Sequence, residues 1–265
     1  MRKEKTPPKF RKRFGQHFLQ DNKVIENIIS SINLKERDHI VEIGPGLGAL
    51  TEKLLDTNCQ MDAVEVDRDL AKKLNEKFSN YGNFKLHLAD ALSFKYEASK
   101  IEGKKMRVVG NLPYNISTQL IFKLFDIIDS VEDMHFMLQL EVVQRLTASP
   151  GEKAWGRLAI LAQYHCEVTH LFNVPPNAFK PIPKVQSAVV RLKPLQQKPF
   201  QHVESLALSN ATRLAFSQRR KTLRNNLKSV IDVDRLKDIE INPEARAETL
   251  TLRQFIKLAK FIHAS

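Results

Sequence analysis

The chain has 265 residues, of which 42% are hydrophobic and 27% charged, and its formal net charge is +12. This composition excludes an intrinsically disordered protein, and the length allows a full core plus a small second domain. No apolar run approaches a membrane span and the basic start has no secretory core, so we expect a soluble, cytoplasmic protein without membrane contact. Cys59 and Cys166 lie among apolar neighbours without metal-ligand spacing, so we expect two core residues and no metal.

The beginning of the chain is strongly basic. Seven of the first thirteen residues are Lys or Arg, and Pro7 and Pro8 interrupt them. We predict a flexible basic arm over residues 1–15 that contacts a polyanion, chiefly through Arg11, Lys12 and Arg13. The alternative is a tail that only improves solubility.

The middle of the chain alternates strand-like and helix-like segments. Apolar runs bounded by turn residues predict strands near 39–43, 61–66, 84–88, 106–110, 134–140, 164–171 and 186–192. Helical patterns between most of them predict a doubly wound α/β sheet. A proline-rich segment without a helix joins the last two runs, which predicts an antiparallel hairpin at one edge of the sheet.

A glycine-rich turn follows the first predicted strand and leads into a helical pattern. Such a turn is typical of a cradle for a nucleotide-type cofactor, in which backbone N–H groups approach the ligand closely. Gly44, Gly46 and Ala49 also satisfy the relaxed dinucleotide fingerprint, so a nicotinamide cofactor remains open. Glu42 within the strand and Pro45 within the turn are unusual for a pyrophosphate site.

Acidic residues follow the next two predicted strands. Glu65 is placed to accept hydrogen bonds from ribose hydroxyls, as in dinucleotide and S-adenosylmethionine sites. Asp90 is placed to accept from an adenine amino group. Each acid alone is as readily a solvated loop residue or a helix cap. Their recurrence at successive strand ends favours a cofactor site.

The tetrapeptide Asn111-Leu112-Pro113-Tyr114 follows the predicted strand 106–110. The carboxyl ends of strands in open α/β sheets bind ligands, so the loop is a candidate reaction site. The Asn111 amide and a main-chain carbonyl could accept both hydrogens of an adenine N6 and turn its lone pair towards an electrophile. Pro113 stiffens the loop, and Tyr114 offers a face for stacking. The alternative is a structural turn with the tyrosine in the core.

The last part of the chain reads as helical. From about residue 200 the apolar spacing is helical, Asn242-Pro243 breaks the pattern, and 252–262 is an amphipathic helix. We therefore predict a catalytic domain over 16–194 and a small all-helical domain over 195–265.

A second basic cluster lies in this helical part. Arg220, Arg224 and Lys228 would share one helix face by i,i+4 spacing, and their repulsion would cost helix stability. A phosphate backbone facing them would relieve that cost, so with the basic arm and the base-handling loop they favour RNA. The alternative is a merely solvated face.

Several segments, in the same order along nearly the whole chain, resemble the rRNA adenine N6,N6-dimethyltransferase family, and the chain is most similar to its bacterial small-subunit branch. Besides the glycine turn and the Asn-Leu-Pro-Tyr loop, the resemblance lies in Arg13–Leu19, Gln139–Val143, Pro150–Leu158, Val174–Val185 and Phe216–Arg224.

The resemblance implies a class I (Rossmann-like) S-adenosylmethionine-dependent methyltransferase sheet with a small helical C-terminal domain. The implied S-adenosyl-L-methionine pocket contains His17, Leu19, Gly44, Gly46, Glu65, Asp90 and Asn111. Many relatives carry Asn where this chain has His17, so a main-chain contact is the firmer expectation there. Asn111 and Tyr114 match the catalytic motif, and Phe179 matches an aromatic residue that helps to sandwich the flipped adenine. Phe179 lies in a proline-rich segment where we expect an exposed ring, although it could instead fill the gap under its own loop.

The implied activity is dimethylation of N6 on two adjacent adenosines in a hairpin loop near the 3′ end of small-subunit (16S) rRNA, with a role in 30S biogenesis. The implied partner is this rRNA within a pre-30S particle, held by a monomer. Its predicted contacts in the tail are Arg219, Arg220, Lys221 and Arg224.

Two alternatives stay open. One is a large-subunit (23S) rRNA adenine methyltransferase of the macrolide-resistance type. The Gln218–Arg224 and Val174–Phe179 segments favour the small-subunit enzyme over it. The other is a non-catalytic RNA-binding assembly factor with a vestigial pocket. Substitution of Asn111, Tyr114 or the glycines of the turn would identify such a protein, and all of them are intact in this chain.

Overall fold

The computed structural model describes residues 17–99, 101–197 and 203–264. The predicted basic arm, with Arg11, Lys12 and Arg13, lies outside the described residues.

One mixed sheet forms the centre of the molecule. Its strands are β2 (His39–Ile43), β3 (Gln60–Glu65), β4 (Phe84–Leu88), β5 (Met106–Asn111), β6 (Val131–Gln139), β7 (Cys166–Val174) and β9 (Ser187–Pro194). Their order across the sheet is β4-β3-β2-β5-β6-β9-β7. Strands β2 to β6 are parallel, and β9 runs antiparallel to both β6 and β7. Every predicted strand is present, and the predicted antiparallel hairpin is confirmed at the β7 edge.

The strand order reverses direction between β2 and β5. The chain passes from β2 outward to β3 and β4, then returns to add β5 on the other side of β2. In doubly wound sheets this switch point opens a crevice at the carboxyl ends of the strands, where ligands bind. The glycine turn follows β2 and the Asn111 loop follows β5, so the topology brings both to the same crevice.

A second, two-stranded sheet lies beside the main one. In it β1 (Phe18–Leu19) pairs antiparallel with β8 (Phe179–Lys180). The main-chain N–H groups of Gln20 and Asp21 both donate to the carbonyl of Ala178, at 2.9 and 3.4 Å. These bonds draw the segment before α1 onto the segment before β9.

Helices cover the sheet and form the last quarter of the chain. They are α1 (Asn22–Ile32), α2 (Ala49–Leu55), α3 (Arg68–Phe78), α4 (Ser117–Asp126), α5 (Leu140–Thr147), α6 (Arg157–His165), α7 (Ser205–Ala215), α8 (Leu223–Leu227), α9 (Val233–Asp238) and α10 (Leu252–Ala264). Asp21 and Asp67 cap α1 and α3 by accepting backbone N–H bonds in the first turn. Within the described part of the chain, none of the helices combines the length and the apolar character that a bilayer crossing requires.

The C-terminal helices pack directly on the sheet domain. Phe136 of β6, Leu208 of α7 and Phe255 of α10 belong to one apolar cluster. The Trp155 indole also donates to the carbonyl of Leu250 at 2.9 Å, which ties the loop before α6 to the segment before α10. Strand β9 ends at the predicted boundary, residue 194, while the core continues across it. The division into two domains therefore stays a prediction.

The basic segment after α7 is not one helix. Helix α7 ends at Ala215, residues 216–222 are turns, and α8 begins only at Leu223. The predicted i,i+4 stripe of Arg220, Arg224 and Lys228 is therefore wrong. The side-chain amide of Asn226 donates to the carbonyls of Ala215 and Gln218 and stabilises the break. The turn also lets Leu223 reach full burial.

Candidate functional site

A cavity that opens to solvent lies at the switch point, and its empty space, including the open part, is about 990 Å³. Every residue predicted for cofactor binding lines it, namely His17, Leu19, Gly44, Gly46, Glu65, Asp90 and Asn111. Leu112, Pro113 and Tyr114 line it too, whereas Phe179 is not among its lining residues.

The glycine turn forms one wall of the cavity, and its backbone has a conformation that residues with a side chain rarely adopt. Gly44 has φ +68° and Gly46 has φ +61°. A Cβ on Gly46 would lie 3.0 Å from the ring of Phe18. A Cβ on Gly44 would meet only the main-chain oxygen of Asn111, at 3.9 Å, and would project into open space. The turn therefore leaves room for a ligand to approach the main chain.

Two carboxylates stand at the strand ends, as predicted. Glu65 is buried, and its carboxylate accepts from the N–H groups of Gly46 at 3.2 Å and Asp67 at 2.9 Å. Burial raises its pKa. Asp90 is exposed and accepts from the N–H of Leu92 at 2.9 Å. Glu65 thus holds the glycine turn in place while it lines the cavity, and Asp90 presents its carboxylate at the opening.

A third carboxylate, Glu42, lies in the cavity wall. It is 2% exposed and accepts a hydrogen bond of 2.6 Å from the hydroxyl of Thr51. Burial raises its pKa to about 7, the Thr51 bond opposes the rise, and the charge of Glu65 adds to it. The sequence pattern assigned no role to Glu42. Its position within an apolar strand did, however, indicate that this acid would be buried.

Asn111 ends β5 with its amide held in one orientation. Its Nδ2 donates to the main-chain oxygen of His17 at 2.9 Å. Because a carbonyl only accepts, this bond leaves Oδ1 as the remaining acceptor. Gly110 behind it packs against β2, where a Cβ would lie 2.5 Å from the oxygen of Ile43. The amide is therefore fixed on a rigid strand end beside the cavity.

The ring of Tyr114 is also fixed, and it is not a core side chain. It is half-buried, and its hydroxyl hydrogen-bonds the Oγ of Ser187 at 2.9 Å. Burial raises its pKa. The ring stacks on that of His17 with centroids 5.9 Å apart and planes 26° apart. Ser187 begins β9, and no sequence pattern singled it out.

His17 joins three segments of the site. Its main-chain oxygen accepts from Asn111, its ring stacks on Tyr114, and its Nδ1 donates to the oxygen of Pro181 at 2.8 Å. The side chain thus contacts the protein itself, while the main chain orients the Asn111 amide.

The expected exposure of Phe179 is wrong. The ring is 3% exposed and packs in an apolar cluster with Leu19 and Val24. The cause is the pairing of β8 with β1, which sets Leu19 opposite Phe179 and covers the ring. The structure matches the alternative of a ring that fills the gap under its own loop. A stacking role for Phe179 stays a prediction and requires the ring to be uncovered.

A model of the family described as "Ribosomal RNA adenine dimethylase" matches residues 8–264. The chain belongs to this family. Within it, the chain is 52% identical over 253 residues to ribosomal RNA small subunit methyltransferase A of Hahella chejuensis, covering 96% of this chain and 93% of that protein. It is 51% identical over 249 residues to the protein of the same name from Pseudomonas aeruginosa, covering 94% and 93%.

Solved structures of a dimethyladenosine transferase and a 23S rRNA methyltransferase share the fold. The chain is 26% identical to a dimethyladenosine transferase from Plasmodium falciparum with a TM-score of 0.78, covering 91% of this chain and 96% of that one. The chain is also 26% identical to the 23S rRNA methyltransferase ErmE with a TM-score of 0.71, and the match covers 93% of this chain and 99% of that one. These similarities confirm the class I (Rossmann-like) methyltransferase fold.

This dimethylase-family chain has a second, basic cleft next to the first. Thr118 and Phe122 of α4, which follows the Asn111 loop, form one side of it. Its cationic lining residues are Arg145, Lys153, Arg157 and Arg219, and its acidic one is Glu141. The sequence pattern identified only Arg219 among them, because the other three are far from it in sequence.

Two guanidinium groups in this cleft each have one buried nitrogen without a partner among the described residues. They belong to Arg145 and Arg157, and no hydrogen bond from the described part of the chain reaches either Nε. Burial lowers the pKa of Arg157, and the charge of Arg213 lowers it further. Partly buried cations whose N–H groups lack partners bind anions favourably.

The predicted RNA contacts of the tail fall into two groups. Arg219 pairs with Glu248 at 3.2 Å and donates to the Lys153 oxygen, and Arg224 pairs with Glu244 at 3.0 Å. Arg220 and Lys221 are exposed in the turns between α7 and α8. The ion pairs reduce the free positive charge of Arg219 and Arg224, so Arg220 and Lys221 are the stronger candidates for RNA contact.

Proposed function

We propose that this chain transfers methyl groups from S-adenosylmethionine to N6 of two adjacent adenosines in small-subunit rRNA. The observation that carries the proposal is the fixed amide of Asn111, whose Oδ1 is the remaining acceptor at the cavity between a glycine turn and the Tyr114 ring. The similarity to ribosomal RNA small subunit methyltransferase A over nearly the whole chain supports the substrate.

The cavity fits S-adenosylmethionine. Its glycine turn has space at Gly44 that a side chain would fill, and Glu65 and Asp90 supply carboxylates for hydroxyl and amino donors. S-adenosylmethionine, when bound, supplies a methyl group on a positively charged sulfur. The partly apolar walls, with the exposed Asp90 carboxylate at the opening, suit a cationic, partly apolar ligand.

The residues of the Asn111 loop orient the target amine. Oδ1 of Asn111 accepts one N6 hydrogen, and a main-chain carbonyl of the loop accepts the other, which turns the nitrogen lone pair out of the ring. Pro113 has no N–H that would compete. Tyr114 stacks on the adenine, and such a contact contributes about 1 to 3 kcal/mol towards the cost of unstacking the base. No strong base is required before attack, because the amine becomes acidic once it carries the new methyl group.

The RNA backbone lies on the basic cleft. Arg145, Lys153 and Arg157 would contact phosphates there, with Arg219 at its edge and Arg220 and Lys221 beyond it. The basic arm, with Arg11, Lys12 and Arg13, would add further contacts. Within this proposal the partner is a pre-30S particle, the enzyme is a monomer and the compartment is the cytoplasm.

The alternatives have weaker support. The 23S rRNA methyltransferase ErmE is 26% identical to this chain, against 52% for the Hahella small-subunit enzyme. A non-catalytic assembly factor would not need Asn111 held by His17, or Tyr114 held by Ser187.

The deciding experiment supplies labelled S-adenosylmethionine with undermethylated small subunits, large subunits or naked small-subunit rRNA. We expect two methyl groups on each of two adjacent adenosines of the small-subunit RNA. Label confined to large-subunit RNA would refute the substrate, and a lack of transfer to every RNA would refute the activity.

A further inference from the structure

The loop between β8 and β9, residues 181–186, exposes apolar side chains near the stacked rings of Tyr114 and His17. Ile182 is 67% exposed and Val185 is 43% exposed. Pro183 between them is buried, so the loop lies against the body of the protein. Single exposed aliphatic residues are ordinary, but two of them on one short loop next to a reaction site indicate a contact surface.

The loop is attached to the catalytic residues at both ends. At its start the oxygen of Pro181 accepts from His17 at 2.8 Å, and His17 stacks on Tyr114. At its end the oxygen of Gln186 accepts from the N–H of Leu140 at 2.9 Å. The next residue, Ser187, bonds the Tyr114 hydroxyl. Because successive Cα atoms are about 3.8 Å apart, Ile182 is held close to the ring on which the adenine would stack.

Cationic side chains alternate with the apolar ones. Lys180 and Lys184 are exposed, and neither forms an ion pair with a described residue. A single RNA strand presents phosphates and base faces in a similar alternation, so it complements both the charge and the apolar surface of the loop.

We propose that Ile182, supported by Val185, fills the gap left in the RNA stack when the target adenosine turns towards Tyr114. Lys180 and Lys184 contact the phosphates on either side. An aliphatic side chain that packs on the neighbouring base offsets the stacking that the turned-out base no longer provides. This assignment rests on the proposed function and makes Ile182 a positioning residue for the substrate.

The test compares Ile182→Ala with the unaltered protein in single-turnover transfer to undermethylated small subunits. At saturating subunits and S-adenosylmethionine, we expect the transfer rate to fall about tenfold. Without the Ile182 side chain, the RNA conformation with the target adenosine turned out of the stack is less stable. Subunit affinity should change less than about twofold, because phosphates supply most of the binding. Ile182→Met, which keeps a long apolar side chain, should restore the rate.

Leu206→Ala is the matched control, since Leu206 is 75% exposed on α7. It should transfer at the unaltered rate. An unchanged saturating rate in Ile182→Ala overturns the proposal, whether or not subunit affinity falls, because the loop would then be at most a binding contact. If the unaltered protein transfers no methyl group, both the proposed function and this inference fail.

Discussion

At the scale of single residues, hydrogen bonds from distant segments fix the orientation of Asn111 and Tyr114. One N–H of the Asn111 amide donates to the His17 carbonyl, which fixes the orientation of the amide and of its Oδ1. Ser187 hydrogen-bonds the Tyr114 hydroxyl, and His17 stacks on one side of the Tyr114 ring. The identities of Asn111 and Tyr114 could be read from the sequence. Their partners could not, because His17 and Ser187 come from distant segments.

Replacing Asn111 tests this arrangement. We expect Asn111→Ala to lower the transfer rate by at least about 100-fold, as loss of a fixed polar group in a reaction site does. Small-subunit binding should remain largely intact, since the basic cleft lies elsewhere. Asn115→Ala, at an exposed position of the same turn, is the control and should be active. Equal loss of binding and transfer in Asn111→Ala would show that the RNA site is misplaced.

Glu42 makes stability depend on pH. Its pKa is raised from 4.5 to about 7 in the folded protein, chiefly by burial. Between these values the folded state holds a proton that the unfolded state releases, so stability falls as pH rises through this window. The decrease in stability is of order 3 kcal/mol once pH exceeds about 7.

Glu42→Gln removes the titrating group and keeps an oxygen for the Thr51 hydroxyl. We therefore expect its urea midpoint to exceed that of the unaltered protein at pH 8 by much more than at pH 5. A difference that stays constant between these pH values would mean that Glu42 is ionised throughout.

At the scale of elements, the close pairing of β2 with β5 positions the two loops that form the crevice. Gly110 allows this approach, because a Cβ there would lie 2.5 Å from the Ile43 oxygen. The atom in the way is backbone of the neighbouring strand, which cannot move without shifting β2. The glycine turn and the Asn111 loop therefore depend on a residue that contacts no ligand.

Gly110→Ala should destabilise the fold by about 3 kcal/mol, in the range of overpacked cores, and should reduce transfer by displacing Asn111. Gly82→Ala is the control, since a Cβ there meets nothing within 4 Å. Urea unfolding of both variants measures the difference. A Gly110→Ala protein as stable as Gly82→Ala would show that the strands separate at little cost.

The elements that could be predicted from the sequence are those whose apolar residues form a regular pattern within one short segment. The strands of the main sheet coincide with the apolar runs, so their positions along the chain were predictable. Two errors came from contacts between distant residues. Phe179 is covered through its pairing with Leu19, and the basic segment bends where Asn226 binds the end of α7. Neither contact has a signal in the local sequence.

At the scale of the whole molecule, a cleft with four cationic side chains and one acidic side chain lies where the sheet meets the C-terminal helices. Arg145 lies on α5, Arg157 begins α6 and Arg219 follows α7. Arg219 therefore joins the other cations of the cleft only when the C-terminal helices pack on the sheet. Folding thus assembles a basic cleft close to the cavity at the switch point of the sheet.

The double variant Arg145→Ala/Arg157→Ala tests whether this surface binds RNA. Removing one cation that touches a phosphate should reduce the slope of log affinity against log salt by about 0.7 to 0.9, so removing both should flatten it by roughly 1.5. Removal of two partly buried cations, each with a buried Nε that lacks a partner among the described residues, should leave the stability unchanged or raised. Lys72→Ala/Lys73→Ala, which removes two exposed charges from α3, is the matched control and should preserve the slope. Equal slopes for both double variants would place the RNA backbone outside the cleft, whereas a flattened slope with normal transfer at saturation would separate RNA binding from the chemistry at Asn111.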